Sequence, residues 1–153
     1  MGSGQSLNSV DPDTLPNLPC KGEVKKCRVC SVHDGDTVTI VYMVGNSPFK
    51  INLRMEGIDA PEITSKNTLE KEAGLQVRDW LKNTISEHKY WYVIPKKWDK
   101  YGGRIVGTLH YKKDMDSISV NEQMLKLGIV LSYGGGKKKI WTKSMLYNIM
   151  DMC

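Results

Sequence analysis

The chain has 153 residues, enough for one compact domain and too few for multidomain machinery. Hydrophobic residues make up 40% and charged residues 25%, as in soluble globular proteins, and the absence of any apolar run of about 18 residues argues against an integral membrane protein. The 22 Lys and Arg residues against 17 Asp and Glu residues give a net charge of +5, which favours a polyanionic partner. A basic soluble domain without such a partner explains the charge equally well.

The first 20 residues differ from the rest of the chain. They contain no Lys or Arg and two acids, Asp11 and Asp13, so 22 basic and 15 acidic residues, a net charge of +7, lie beyond residue 20. Their Gly, Ser, Asn and Pro content gives them too little apolar surface to offset the entropy lost on ordering. We therefore predict a flexible arm over residues 1–20 and a single domain over residues 21–153.

The arm begins with a possible lipidation motif. Gly2 after the initiator Met, with Ser6 four positions further on, matches the pattern for N-myristoylation, although a cloning tag or a plain disordered start fits as well. One myristoyl chain gives only marginal membrane binding. No basic and apolar secretory signal precedes the domain. We expect an intracellular, cytoplasmic monomer, with membrane association through Gly2 as an open alternative.

The cysteines do not predict a metal or redox site. Cys27 and Cys30 are three residues apart in a segment that has a strand pattern, so their side chains point to opposite faces. A structural zinc site needs four ligands, and the three histidines show no suitable spacing to this pair. Reduced cysteines are the preferred interpretation, and they suit an intracellular protein.

Hydrophobic periodicity predicts five strands and three helices. Three strands at 24–32, 37–43 and 49–55 are separated by turn residues, and Asn67 with Glu70 forms a capping box for a helix over residues 68–86. Further along the chain we predict strands at 90–94 and 104–111 around a loop at 95–103, then helices at 120–127 and 140–152. The fold class is therefore α+β, and five strands of this length can close into a small barrel.

Carboxylates cluster at the ends of the first strands. Asp36 lies in the turn that leads into the second strand, and Asp59 and Glu62 follow the third. Oxygen ligands from Asp36 and Asp59 suit a hard cation such as Ca²⁺, but two carboxylates are few, so such a site should bind metal and substrate phosphate with positive linkage. Each acid taken alone is more typical of a turn residue than of a metal ligand.

Four strings in this order carry a family resemblance: Asp34-Gly35-Asp36-Thr37, Arg54-x-x-Gly57-Ile58-Asp59-Ala60-Pro61-Glu62, Asp99-Lys100-Tyr101-Gly102-Gly103-Arg104 and Val120-Asn121-Glu122. Together they make residues 24–136 resemble the staphylococcal nuclease, or thermonuclease, family. This resemblance implies a five-stranded barrel of the oligonucleotide-binding (OB) type packed with three helices. It also implies Ca²⁺-dependent hydrolysis of DNA and RNA phosphodiesters that leaves 3′-phosphate ends.

The resemblance also implies roles for individual residues. Asp36 and Asp59 would bind Ca²⁺ through their side chains and Ala60 through its carbonyl, and Asp34 would act through water. Glu62 would activate the attacking water, and Arg54 and Arg104 would hold the phosphate. The binding residues would be these: Lys100 and Tyr101 in the loop before Arg104, and, by a looser register, Tyr133.

Elementary chemistry agrees with those roles. A phosphodiester gains negative charge as water adds, so a divalent ion and guanidinium groups lower the barrier, and the fork of Arg suits phosphate better than Lys. A carboxylate such as Glu62 can orient and deprotonate water. Contacts of this kind are insensitive to base sequence, and access favours single-stranded substrate. A binding module of the same fold with weak catalysis is the alternative, although such modules usually lack several of these charged residues.

Two further features were left open by the sequence. Familiar relatives have one glycine where this chain has Gly102 and Gly103, and we expect the additional residue to be absorbed in the loop so that Arg104 keeps its direction. The run from Gly134 to Lys139 is either a flexible solvated turn or a basic track for a nucleic-acid backbone.

Overall fold

The computed structural model describes residues 6–114 and 117–152. The lipidation site predicted at Gly2 and the last cysteine, Cys153, lie outside the described residues. Within them, five of seven strands close into a barrel in which the first, second, third, sixth and fifth strands along the chain are neighbours in that order, and three α-helices pack around it. This α+β barrel with three helices confirms the predicted fold class.

The barrel strands are β1 (Lys25–Asp34), β2 (Thr37–Val44), β3 (Ser47–Met55), β5 (Trp91–Trp98) and β6 (Arg104–His110). Neighbouring strands are antiparallel except β3 and β6, which pair in parallel. The predicted alternation holds on β1, where Cys27 is buried and Cys30 is exposed. Both thiols are free, and burial raises the pKa of Cys27 to about 12.

The strand β5 is longer than predicted. The sequence predicts a loop from Pro95 to Gly103, but the strand continues to Trp98, and Lys97 and Trp98 still pair with β6. The register shifts between Pro95 and Lys97. Such an irregularity tolerates a proline, which has no N–H to donate, so the strand continues past it.

A two-stranded sheet was not predicted. The strand β4 (Ile58–Asp59) pairs with β7 (Leu131–Ser132). Each has two residues, too few for a periodic pattern, and their pairing joins segments that are far apart in the chain. The sheet fixes Asp59 beside the segment that follows the second helix.

The helices are α1 (Thr68–Ile85), α2 (Val120–Leu127) and α3 (Lys143–Met152). As predicted, Asn67 caps α1 by accepting a hydrogen bond from the N–H of Glu70. The third helix begins at Lys143 rather than at residue 140, because Thr142 caps it by accepting the N–H of Met145. Among the described residues, no helix is long and apolar enough to cross a membrane.

The end of the N-terminal arm lies against the barrel. Leu18 is 1% exposed and belongs to the core. On either side of it, the carbonyl of Asn17 accepts the indole N–H of Trp98, and the carbonyl of Pro19 accepts the hydroxyl of Tyr42. The division at residue 20 stays a prediction, but these contacts join the last residues of the arm to the domain.

A buried amide joins α2 to the barrel. Asn121 is 3% exposed; its side-chain oxygen accepts the N–H of Leu109, and its amide nitrogen donates to the carbonyl of Glu56. These two bonds connect the start of α2 with β6 and with the end of β3. Asn121 therefore fixes the position of the segment that follows Arg54.

We expect Asn121→Ala to lower the free energy of unfolding by about 2 kcal/mol, because the substitution leaves two buried backbone groups without partners. Lys126→Ala on the exposed side of α2 is the matched control and should change stability by less than about 0.5 kcal/mol. Urea unfolding of both variants measures the difference. Equal stabilities would contradict the anchoring role of Asn121.

Candidate active site

Two buried carboxylates meet at one end of the barrel. Asp36 lies at the turn between β1 and β2, and Asp59 ends β4; they are 7% and 5% exposed. The backbone N–H of Ala60 donates to Asp36 Oδ2 over 2.8 Å. This bond brings the two predicted metal ligands and the backbone of Ala60 together, although 23 positions separate the two acids in the chain.

The guanidinium of Arg54, near the end of β3, lies between these carboxylates and the backbone. Its Nη1 donates to the carbonyls of Met55 and Ile58 over 3.1 and 2.8 Å. Its Nη2 lies 3.5 Å from Asp36 Oδ2 and 3.7 Å from Asp59 Oδ1. Arg54 is 8% exposed, so it forms a buried pair with two acids rather than a surface salt bridge.

Glu62 is more exposed, and α1 holds its backbone. The N–H of Glu62 donates to Glu70 Oε2 over 3.0 Å. In the same helix Gly74 packs against Pro61, whose carbonyl oxygen would lie 2.6 Å from a Cβ at that position. A glycine there lets the chain before Glu62 approach the helix closely.

A lysine that the sequence did not single out completes this cluster. Lys138 Nζ lies 3.2 Å from Asp59 Oδ1 and 3.4 Å from Glu62 Oε1. Lys138 is the middle one of three consecutive lysines, and no feature of the sequence distinguishes it from Lys137 or Lys139. Only the path of the glycine-rich loop brings its ammonium to the two acids.

Burial and crowding shift the pKa values of these groups. Burial raises the pKa of Asp34 to about 7, and the nearby charge of Asp36 adds to the rise. Burial also raises the pKa of Asp59, against the opposing effect of Lys138. Burial alone would lower the pKa of Lys138, but the charges of Asp59 and Glu62 raise it above its ordinary value. The cluster therefore concentrates negative charge where water is scarce.

The donor set resembles that of a sparse site for a hard cation. Asp59 Oδ1 is fully buried, and two cations lie near it, Lys138 Nζ at 3.2 Å and Arg54 Nη2 at 3.7 Å. Within residues 6–114 and 117–152, no three His, Cys, Asp or Glu side chains are arranged to hold a metal. Two carboxylates and a carbonyl leave the remaining positions to water or substrate, an arrangement that Ca²⁺ accepts.

The predicted arginines share one cavity of about 700 Å³ with the predicted binding residues: Arg54, Arg104, Lys100, Tyr101 and Tyr133 all line it, as does Lys138. This volume is in the ordinary range for a ligand site. The Arg54 guanidinium lies 5.7 Å from the ring centroid of Tyr133, within reach of a cation–π interaction. Tyr101 is 78% exposed at the mouth of the cavity.

The additional glycine is taken up in the loop before Arg104. Gly102 and Gly103 have φ values of +74° and +76°, a conformation that favours glycine. Arg104 begins β6, and its Nε lies 2.6 Å from Asp99 Oδ2. The side chain of Arg104 thus lines the same cavity as Arg54, and an acid of the loop holds it.

Comparison with known proteins agrees with this arrangement. The model of the family described as staphylococcal nuclease homologue matches residues 52–147, more than half of the chain. The chain belongs to the staphylococcal nuclease family. The matched range includes Arg54, Asp59, Glu62 and Arg104, whereas Asp36 lies before it.

Curated relatives of this staphylococcal nuclease homologue are named as endonucleases. It is 32% identical over 92 residues to a probable endonuclease of Schizosaccharomyces pombe, covering 56% of this chain and 37% of the relative. It is 31% identical over 83 residues to one of Colletotrichum graminicola, covering 54% and 30%. An endonuclease of Saprolegnia parasitica is 26% identical over 117 residues, covering 69% and 54%. The matches therefore span about a third to a half of each relative.

The pKa of Asp34 predicts a pH dependence of stability. Because the pKa in the folded protein is about 7 and the ordinary value is 3.8, the folded protein keeps a proton that the unfolded chain has released between these pH values. Stability should therefore fall as pH rises from about 4 to 7. Asp34→Asn removes this titration, so the variant should lose less stability over that range.

Urea unfolding of the metal-free protein at several pH values measures this effect. Asp79→Asn, on the exposed side of α1, is the matched control and should keep the pH dependence of the wild type. Equal losses in the wild type and in Asp34→Asn would contradict the assignment to Asp34.

Proposed function

We propose that this protein is a Ca²⁺-dependent endonuclease that hydrolyses DNA and RNA with little sequence specificity and prefers single strands. One observation carries the proposal: two arginines, Arg54 and Arg104, line a single cavity, and the carboxylates of Asp36, Asp59 and Glu62 contact its lining residues Arg54 and Lys138. Membership of the nuclease family and relatives named as endonucleases support it.

In this proposal the carboxylates of Asp36 and Asp59 and the carbonyl of Ala60 would hold Ca²⁺, which would supply positive charge next to the phosphate. Asp34 acts on that site through water. Side chains of the protein carry out the proton transfer and bind the phosphate. The site carries more buried carboxylate than Arg54 alone neutralises, so a divalent cation suits it.

In hydrolysis, a carboxylate activates the water, and two guanidinium groups stabilise the charge on the phosphate. Glu62 accepts a proton from the attacking water as the oxygen of that water bonds to phosphorus. The bond from phosphorus to the 5′ oxygen breaks, and that oxygen takes up a proton, leaving a 3′-phosphate end. Arg54 and Arg104 stabilise the negative charge that grows on the phosphate oxygens. The carbonyls of Met55 and Ile58 hold Nη1 of Arg54, and its Nη2 lies beside Asp36 and Asp59, where the phosphate would be bound.

The exposed aromatic and basic side chains of the cavity would bind the rest of the substrate. Tyr101 and Tyr133 offer ring faces for bases, and Lys100 offers a charge for a phosphate. Such contacts do not read base sequence, which supports broad specificity. We place the protein inside the cell, on the basis of the free thiols of Cys20, Cys27 and Cys30, with Gly2 as a candidate lipid attachment point.

The direct test is hydrolysis of labelled single-stranded DNA and RNA with calcium and with a chelator. We expect cleavage only with calcium, a loss of about 10²- to 10⁴-fold in Glu62→Gln because the general base is lost, and about 10²-fold in Arg104→Ala. Glu72→Gln, an exposed carboxylate on α1, is the matched control and should cleave like the wild type. Binding without cleavage by the wild type would favour the catalytically weak binding module instead.

From the position of Lys138 we expect its ammonium to weaken the binding of calcium. Its ammonium lies between Asp59 and Glu62, so a divalent ion must compete with this resident charge. We expect Lys138→Gln to bind calcium about 5- to 10-fold more tightly, as measured by calorimetric titration of the metal-free protein. Lys137→Gln removes the same charge from the same loop and is the matched control. An equal change in both variants would attribute the effect to net charge rather than to the ion pair.

A further inference from the structure

A second cavity lies on the outer face of the barrel, next to the candidate active site. Its volume is about 620 Å³, and its lining residues are Cys30, Ser31, His33, Thr39, Lys50, Ile51, Asn52 and Gly103. Gly103 directly precedes Arg104, which lines the first cavity. The loop before β6 therefore borders both cavities.

Strand register connects the two cavities by a continuous row of polar side chains. Arg104 pairs with Asn52, Asn52 with Thr39, and Thr39 with Ser31. Residues directly opposite each other on paired strands share a face, and residues two apart on one strand do so as well. Asn52 lies two residues before Arg54 on β3 and therefore on the same face of the strand. The row begins at Arg104 in the active site and crosses β3 and β2 to reach β1. Three strand spacings make this path about 14 Å long.

A hydrogen-bond relay fixes the middle of this row. The hydroxyl of Thr39 donates to Asn52 Oδ1 over 2.7 Å, and Thr39 is only 6% exposed. A hydroxyl has one proton, so the 2.7 Å contact between Thr39 Oγ1 and His33 Nε2 requires the imidazole N–H to donate. The carbonyl oxygen of the Asn52 amide is thereby satisfied, and its exposed NH₂ group presents two donors to the cavity.

The charge of the cavity also suits a phosphate backbone. None of its lining residues is acidic, and Lys50 is an exposed cation two residues before Asn52 on the same face of β3. A lysine, an amide NH₂ group and the hydroxyl of Ser31 are hydrogen-bond donors of the kind that bind phosphate and sugar oxygens. The face of strands 2 and 3 in small barrels of this architecture is a general site for oligonucleotides.

We propose that this groove, defined by Ser31, His33, Thr39, Lys50 and Asn52, binds the nucleic-acid strand that extends from the scissile phosphate. Lys50 and the amide of Asn52 contact its backbone, and His33 and Thr39 hold that amide in place. The inference rests on the proposed function, since it needs a nucleic-acid substrate in the first cavity. It adds a binding surface that lies outside the residues that carry out hydrolysis.

The test measures binding without cleavage. The probe is a fluorescein-labelled single-stranded oligothymidine of about 12 nucleotides, within the range of about 4 to 16 that such barrels bind. Its nuclease-resistant phosphorothioate linkages keep the backbone charge and allow calcium to be present without cleavage. Fluorescence anisotropy at several salt concentrations gives the affinity and its salt dependence. The variants are Lys50→Gln and Asn52→Ala, both at exposed positions, with Lys126→Gln on α2 as the matched control for charge.

We expect Lys50→Gln to reduce the slope of log affinity against log salt by about 0.7, the value for one phosphate contact on a single strand. Asn52→Ala should weaken binding about fivefold, as for the loss of one hydrogen bond. Lys126→Gln should bind like the wild type. Thermal unfolding of each variant checks that the barrel is intact.

The outcomes separate this inference from the proposed function. If the wild type does not bind the oligonucleotide, the proposal of a nucleic-acid substrate fails, and this inference fails with it. If the wild type binds and both groove variants match it, the groove is not the path of the strand. If Lys126→Gln changes the salt slope as much as Lys50→Gln, the effect is general electrostatics, and the inference is likewise overturned.

Discussion

The buried guanidinium of Arg54 is the interaction on which the rest of the site depends. Its Nη1 holds the turn after β3 through the carbonyls of Met55 and Ile58, and its Nη2 faces Asp36 and Asp59. Removing one partner of a buried ion pair lowers the free energy of unfolding by more than the intact pair contributes, because the other charge stays buried without a partner. One side chain thus contacts both the backbone at the end of β3 and the two carboxylates. A change in the position of that backbone would therefore also move the site.

The site concentrates negative charge beyond what Arg54 can neutralise. Asp34 and Asp59 have raised pKa values for the same physical reason: burial penalises the charged form. The ammonium of Lys138 relieves part of this excess from the opposite side. A divalent cation and an anionic phosphate that bind together would neutralise the remaining negative charge. The carboxylate repulsion that lowers the stability of the free protein would therefore favour formation of the substrate complex.

The loop before β6 joins the chemistry of the cavity to the outer surface of the barrel. Two consecutive glycines with positive φ let the loop turn tightly, and Asp99 holds Arg104 across it. The parallel pairing of β3 with β6 then aligns Arg104 with Asn52. Because the antiparallel pairing of β2 with β3 aligns Asn52 with Thr39, the two pairings together place the arginine and the polar groove side by side.

Local patterns in the sequence determined much of this protein. Alternation of polar and apolar residues predicts β1, β2 and β3, and the Asn67 cap predicts the start of α1. The ordered strings around Asp36, Arg54 and Arg104 indicate the family. These features depend on neighbours within a few residues. The β4–β7 sheet, the burial of Leu18 and the position of Lys138 beside Asp59 depend on segments distant in sequence. Only tertiary structure decided them, because no local pattern encodes which distant groups satisfy a buried charge or fill the end of a core.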